Sequence, residues 1–294
     1  MKNIKRLLAA VITGTILVGG LVGCGKANTG TTEEKKNDSS QSASAGSLEE
    51  IKKRGTIRIG VFSDKPPFGY VDSEGKNQGF DVYIAKRFAK DLLGDESKIE
   101  FVLVEAANRV AVLESNKVDI TMANFTVTEE RKQKVDFANP YMKVSLGIVS
   151  PDGAQITSVD QLKGKKLIVN KGTTAQTYFE KNHPDIELLK YDQNTEAFEA
   201  LKDGRGAALA HDNTEVLAWA KSNPGFTVGV ATLGGQDTIA PAVKKGNKEL
   251  LDWINAELET LGKENFMHKA YDETLKSIYG DDADNLVIEG GKLN

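Results

Sequence analysis

Few residues of this chain are of a type and spacing that do covalent or metal chemistry. Cys24 is the only cysteine, so no internal disulfide can form. His183, His211 and His268 stand far apart and show no metal-ligand spacing. No nucleophile stands beside a base in the pattern of covalent catalysis, and no phosphate loop is present. Gly204-Arg205-Gly206 lacks the rest of a dinucleotide fingerprint. What remains is charge at the ends of secondary-structure elements. Asp212 follows a strand-like run, 207–210, at its carboxyl end. Its carboxylate can accept from a ligand ammonium there, or cap the helix that starts at Asn213. Thr126 and Glu129 have the spacing of a capping box, which puts Arg131 in the first turn of a helix. A guanidinium at that place can meet a carboxylate through two parallel bonds, aided by the free N–H groups of the helix start. On residue type alone, the more ordinary reading of Arg131 is a solvated side chain, like Lys132 and Lys134.

The elements that would position these residues alternate between two periods. Residues 57–62, 99–104, 119–123, 166–170, 188–191 and 207–210 read as strands. Between them lie helical stripes. Ala85, Phe88, Ala89 and Leu92 recur at helical spacing before Gly94 ends the pattern, and Leu250, Ile254, Leu258 and Leu261 form a second stripe. Such alternation predicts an α/β architecture with largely parallel sheets, whose ligands sit at the carboxyl ends of strands. Residues 143–151 are extended and end in a Pro-Asp-Gly turn, and 234–241 is a second glycine- and proline-bearing stretch. These two stretches suggest two lobes.

The N-terminus reads differently. Lys2, Lys5 and Arg6 precede an apolar run from Leu7 to Val22, which is shorter than the roughly 20 residues of a spanning helix. The pattern is that of a secretory signal segment, 1–23. Leu21-Val22-Gly23-Cys24 resembles the bacterial lipobox, which implies cleavage before Cys24 and lipid on its sulfur. Residues 24–47 are glycine, serine, threonine, asparagine, lysine and glutamate with almost nothing large and apolar, and cannot order themselves by burial. As a random coil this tether reaches on the order of 25–30 Å. The net charge of the whole chain is −4 and becomes more negative once the basic signal is removed. That excess disfavours nucleic acid and anionic lipid surfaces as partners.

The ordered set of motifs after the tether resembles the polar amino-acid-binding lipoproteins of ABC importers. The set comprises Gly60-Val-Phe-Ser-Asp-Lys-Pro-Pro-Phe-Gly-Tyr70, Gly79-Phe80-Asp81, Val118-Asp119-Ile120, Thr126-Val-Thr-Glu-Glu-Arg-Lys132, Val135-Asp136-Phe137, Ser158-Val-Asp-Gln-Leu-Lys-Gly164, Lys171-Gly-Thr-Thr174 and His211-Asp212. Residues 104–110, with Ala123-Asn-Phe-Thr126, Pro140-Tyr-Met-Lys143 and Tyr191-Asp-Gln-Asn194, most resemble cysteine-binding members. The resemblance implies the two-lobed periplasmic-binding-protein fold of type II, an α/β fold with two crossing hinge strands. Lobe 1 would comprise 48–142 and 238–294, and lobe 2 would comprise 143–237. It implies no cofactor and no metal, and a monomer held on the extracytoplasmic face of the membrane. It also implies capture of one free amino acid, L-cysteine foremost, for a membrane permease. Arg131 would meet the ligand carboxylate and Asp212 its ammonium, with Asn124, Thr126, Thr173 and Thr174 around them. Lys65 replaces an aromatic that many members stack on the ligand. With Arg109 it puts cations near the side-chain pocket, and Phe62 could supply a wall. Glutamate or aspartate as ligand, and a dehydratase-like enzyme on the same fold, are the alternatives. For Arg109 the ordinary reading is an ion pair with Glu105, four residues earlier.

Overall fold

The computed structural model describes residues 46–293, so the signal segment, Cys24 and almost all of the tether lie outside the described residues. The described chain starts with a short helix, α1 (Leu48–Arg54). Ser47 accepts from the Glu50 N–H at its start, Gly55 turns left-handed at its end, and Lys52, Lys53 and Arg54 complement its dipole. Then follow β1 (Ile57–Val61), the short strands β2 (Asp64–Lys65), β3 (Gly69–Val71) and β4 (Asn77–Gln78), and α2 (Phe80–Leu93). Next come β5 (Ile99–Leu103), α3 (Arg109–Glu114), β6 (Ile120–Thr121), the one-turn α4 (Glu129–Lys132), β7 (Val135–Phe137) and β8 (Met142–Pro151). The second half supplies β9 (Lys166–Asn170), α5 (Thr174–Asn182), β10 (Glu187–Tyr191), α6 (Asn194–Lys202), β11 (Ala208–Asp212), α7 (Asn213–Ser222), β12 (Phe226–Ile239), β13 (Ala242–Lys244) and α8 (Lys248–Lys263).

Two five-stranded sheets result, in the orders β5-β1-β6-β13-β7 and β10-β9-β11-β8-β12. Each has a parallel half, where β1 runs between β5 and β6, and β9 between β10 and β11. Each also has an antiparallel half, because β13 pairs antiparallel with β6 and β7, and β8 with β11 and β12. The sheets are therefore mixed, not largely parallel as expected from sequence. The reason is that β8 and β12 run side by side in opposite directions, and β13 returns the chain to the first sheet. The glycine-bearing stretch at 234–241 is mostly strand: β12 continues to Ile239. Its register against β8 shifts between Val228 and Val230, between Val230 and Leu233, and between Leu233 and Asp237. Gly229, Gly234 and Gly235 lie in those intervals.

Both faces of each sheet are covered, which is why the parallel strands read as continuous apolar runs. Ile59 and Ile120 pack with Ile84 and Phe88 of α2 and with Leu250, Ile254 and Leu258 of α8, while Val135 and Ala242 pack in a separate cluster with Val112 and Leu113 of α3. In the second sheet Leu167 and Ala210 pack on Phe179 of α5, while Ile168 and Leu209 pack on Phe198 of α6 and Val216 of α7. Each such large side chain contributes about 1.5–3 kcal/mol when buried. With the strands fixed on both faces, the loops leaving their carboxyl ends start from rigid positions. Among the described residues no helix is long and apolar enough to cross a membrane.

Candidate functional site

The loops at the carboxyl ends of β1, β6, β9 and β11 converge on one enclosed space. Phe62, Lys65, Ala106, Arg109 and Thr126 line it from the side of the first sheet, and Thr173, Thr174, His211 and Asp212 from the side of the second. A larger cavity of about 400 Å³ opens beside it, lined by Arg131, Thr174, Tyr178 and Asp237 among others. Each sequence-expected ligand residue has a definite place here. Asp212 ends β11 and is 4% exposed. Its Oδ2 accepts from Lys65 Nζ at 3.0 Å and from Asn124 Nδ2 at 2.7 Å, both from the other side of the cleft. Among the described residues no hydrogen bond reaches Oδ1, so the carboxylate keeps acceptor capacity for an ammonium. Burial pushes the Asp212 carboxyl up, but Lys65, His211 and Arg109 together outweigh it and hold the group below the usual carboxylate range. Although Asp212 is the N-cap residue of α7, its side chain makes no cap bond, so the carboxylate is left to the cleft.

Arg131 lies in α4, as the sequence placed it, but the cap is different. Thr128, not Thr126, accepts from the Arg131 N–H. Thr128 has the extended backbone a cap requires; Thr126 is 3% exposed and bridges to Ile239. The Arg131 guanidinium donates to Thr126 O at 2.6 Å and reaches across to Gly172 O at 2.9 Å. Burial pushes it down to about 10. It lies 4.9 Å from the centre of the Phe125 ring.

Arg109 makes no ion pair with Glu105. Its Nε donates to Ala106 O, Nη1 to Ala123 O and Asn124 O, and Nη2 to Gly172 O, all at 3.0–3.1 Å. Burial, then the neighbouring Arg131, disfavours its charge, while the four carbonyl dipoles and the Phe125 ring face at 4.5 Å oppose that loss. The side chain is 3% exposed, and the carbonyls inside the fold take up its donors in place of the half-buried Glu105. Phe62, 2% exposed, lies beneath the cations, with Lys65 Nζ 5.3 Å from its centre. Thr173 is the N-cap of α5, accepting from Gln176 N and donating to Asn170 O; Thr174 is its first residue. His211 is buried, its Nδ1 accepting from the Asp212 N–H, and burial pushes its ring down to about 3. It is a neutral neighbour. Among the described residues no group of three or more His, Cys, Asp or Glu could hold a metal ion.

Three supporting features were not assigned a role from sequence. Asp81, fully buried at the start of α2, accepts from Asn124 N at 2.7 Å and from Tyr141 OH at 2.6 Å. It holds Asn124 in a left-handed conformation, φ 43°, from which the amide reaches Asp212. Burial pushes Asp81 up to about 7 against those two bonds. The signal was available: a charge on the apolar face of a helix needs a partner. Gly172 receives both guanidinium groups on its carbonyl, and a Cβ there would sit 2.5 Å from Ala107 Cα. Asp64 accepts from Asn194 Nδ2 and Thr195 N at the start of α6.

Residues 57–277 match the model of the bacterial extracellular solute-binding proteins, family 3. The chain belongs to that family. Its fold is the two-lobed α/β type of the periplasmic solute-binding proteins. The solute receptor for L-cysteine of Neisseria gonorrhoeae is 58% identical, with a TM-score of 0.82 over 83% of this chain and 100% of that one. The cysteine-binding protein of Campylobacter jejuni is 61% identical, with a TM-score of 0.81 over 82% of this chain and 98% of that one. The ABC transporter glutamine-binding protein GlnH of Bacillus subtilis strain 168 is 34% identical over 283 residues, 94% of this chain and 98% of the relative. The motif resemblance read from the sequence is thus borne out.

Proposed function

We propose that this chain is the extracytoplasmic binding component of an amino-acid ABC importer, taking free L-cysteine between two lobes and handing it unchanged to a membrane permease. One observation carries the reading. A half-buried guanidinium, Arg131, and a buried carboxylate with acceptor capacity left, Asp212, line two adjoining parts of one cleft that meet at Ala106 and Thr174. That is the complement of an amino-acid carboxylate and ammonium, each of which is costly to bury unpaired. The choice of cysteine is supported by the two neighbours at 58% and 61% identity. The division into lobes at 142/143 and 237/238, closure around the ligand, and action as a monomer belong to this reading. So does a lipid on Cys24 that holds the head near the membrane through the tether.

Thermal-shift screening of the twenty amino acids, with cysteine kept reduced, tests it. Cysteine should stabilise most. A larger shift with glutamine, glutamate or aspartate at equal concentration would reassign the ligand. Chemical turnover of the bound molecule, read by mass spectrometry, would instead make the protein an enzyme.

A further inference from the structure

We propose that the site takes the cysteine side chain as its thiolate, and that Lys65, not Arg109, is the cation that holds it. This rests on the reading of cysteine as the ligand. With carboxylate and ammonium assigned to Arg131 and Asp212, the ligand side chain has the remaining wall of the enclosed space, formed by Phe62, Lys65, Ala106 and Arg109. The two cations of that wall differ in what they have left to give. Arg109 has Nε, Nη1 and Nη2 engaged with four carbonyl oxygens and its guanidinium over the Phe125 ring. Lys65 is 1% exposed and its Nζ carries three N–H donors. Among the described residues it has one hydrogen-bond partner, Asp212 Oδ2 at 3.0 Å. A buried ammonium with donors to spare is a site for an anion.

The charges around Lys65 agree. Those felt with it are Asp212, Arg109, Asp81, Glu215 and His211. Burial makes His211 neutral and pushes Asp81 up to about 7 and Glu215 up to about 8, so neither carboxyl is a dependable counter-charge near neutral pH. Lys65 and Arg109 then face one firmly ionised carboxylate, Asp212, while Arg131 also meets Glu130 and Asp237. A zwitterion brings no net charge and leaves that excess unchanged; a thiolate reduces it. A free thiol ionises near 8.5, and a cation beside it lowers that value. On binding, the S–H bond breaks heterolytically, the electron pair stays on sulfur, and the proton leaves to solvent. Serine, whose hydroxyl does not ionise in this range, cannot follow.

Titration calorimetry of the full chain at pH 7, in two buffers of different ionisation enthalpy, counts the protons. Reduced cysteine should release close to one proton more than serine does. The cysteine-to-serine affinity ratio should rise with pH between about 6 and 8, by up to about tenfold per unit. Lys65→Met should abolish the extra proton and lower the ratio tenfold or more, and Lys65→Arg should recover part of both. Cysteine binding with no proton release beyond serine overturns the thiolate, whatever the variants do. An unchanged ratio in Lys65→Met overturns the role of Lys65. Failure of the wild-type chain to bind cysteine at all removes the functional reading beneath it.

Discussion

Two buried carboxylates, Asp119 and Asp212, stand at opposite ends of the parallel strands, and they are treated differently. Asp119 precedes β6 at its amino end. Arg54 donates to it, Arg58 contributes Nη2 at 2.7 Å, and the Arg58 N–H adds a bond at 2.8 Å. All of these partners come from neighbouring elements, α1 and β1, and both oxygens are occupied. Asp212 ends β11, draws its two partners from the other side of a cleft, and keeps one oxygen free of hydrogen bonds among the described residues. A buried charge saturated by its neighbours is a structural tie. One that is shared across a cleft and incompletely satisfied is prepared for a ligand.

Breaking each carboxylate separates the two roles. Asp212→Ala should cost about 2–5 kcal/mol of binding free energy, because a ligand ammonium loses its counter-charge, with a smaller loss of stability, because only one cation, Lys65, is left without its partner. Asp119→Ala should do the reverse, lowering stability by about 3–5 kcal/mol as two arginines lose a buried partner. Denaturation and calorimetry on both variants would refute the contrast if Asp119→Ala lost affinity and kept stability. Gly172→Ala should come next. The new Cβ would press on Ala107 at a backbone angle of φ 73° that side chains rarely adopt. Affinity should drop about tenfold or more, and small-angle scattering with saturating ligand should show a larger radius than wild type. An unchanged radius and affinity would remove Gly172 from lobe contact. The smallest effect concerns pH. Asp81 is raised to about 7, so the folded form holds a proton that the unfolded chain gives up near 4. Its contribution to stability is present below about 4 and is lost as pH rises through about 7. His211, lowered to about 3, opposes this below about 6.5. The difference between wild type and Asp81→Asn isolates the Asp81 part: wild type should lose stability relative to the variant from pH 4 to 7. A parallel pair of pH curves would contradict it.

How far the sequence could be read varied with the range of the interaction. The stripe of Leu250, Ile254, Leu258 and Leu261 predicts α8, and all four are buried. Gly94 closes α2 in the left-handed conformation that its position suggests. Local chemistry was also enough to place Asp212 at a strand end. It failed where two local solutions compete: Thr126 and Thr128 both precede acidic residues, and only the bridge from Thr126 to Ile239 decides that Thr128 is the cap. It failed again for Arg109, three of whose four partners lie 14, 15 and 63 residues away, all as backbone carbonyls, a class of acceptor that side-chain spacing does not encode. The mixed sheets escaped for a similar reason, since strand direction depends on where the chain returns.

The small strand β2 places Asp64 and Lys65 side by side, and strand geometry sends consecutive side chains to opposite faces. Lys65 is thereby turned to Asp212 in the pocket, and Asp64 to the start of α6 at the rim. The proposed selectivity residue and the Asp64 contact are inherited together on two adjacent codons. Substitution can change either alone, whereas inserting or deleting one residue between Gly60 and Gly69 would exchange their faces and lose both at once. Descendants of this chain should therefore vary in letter but not in length across that turn.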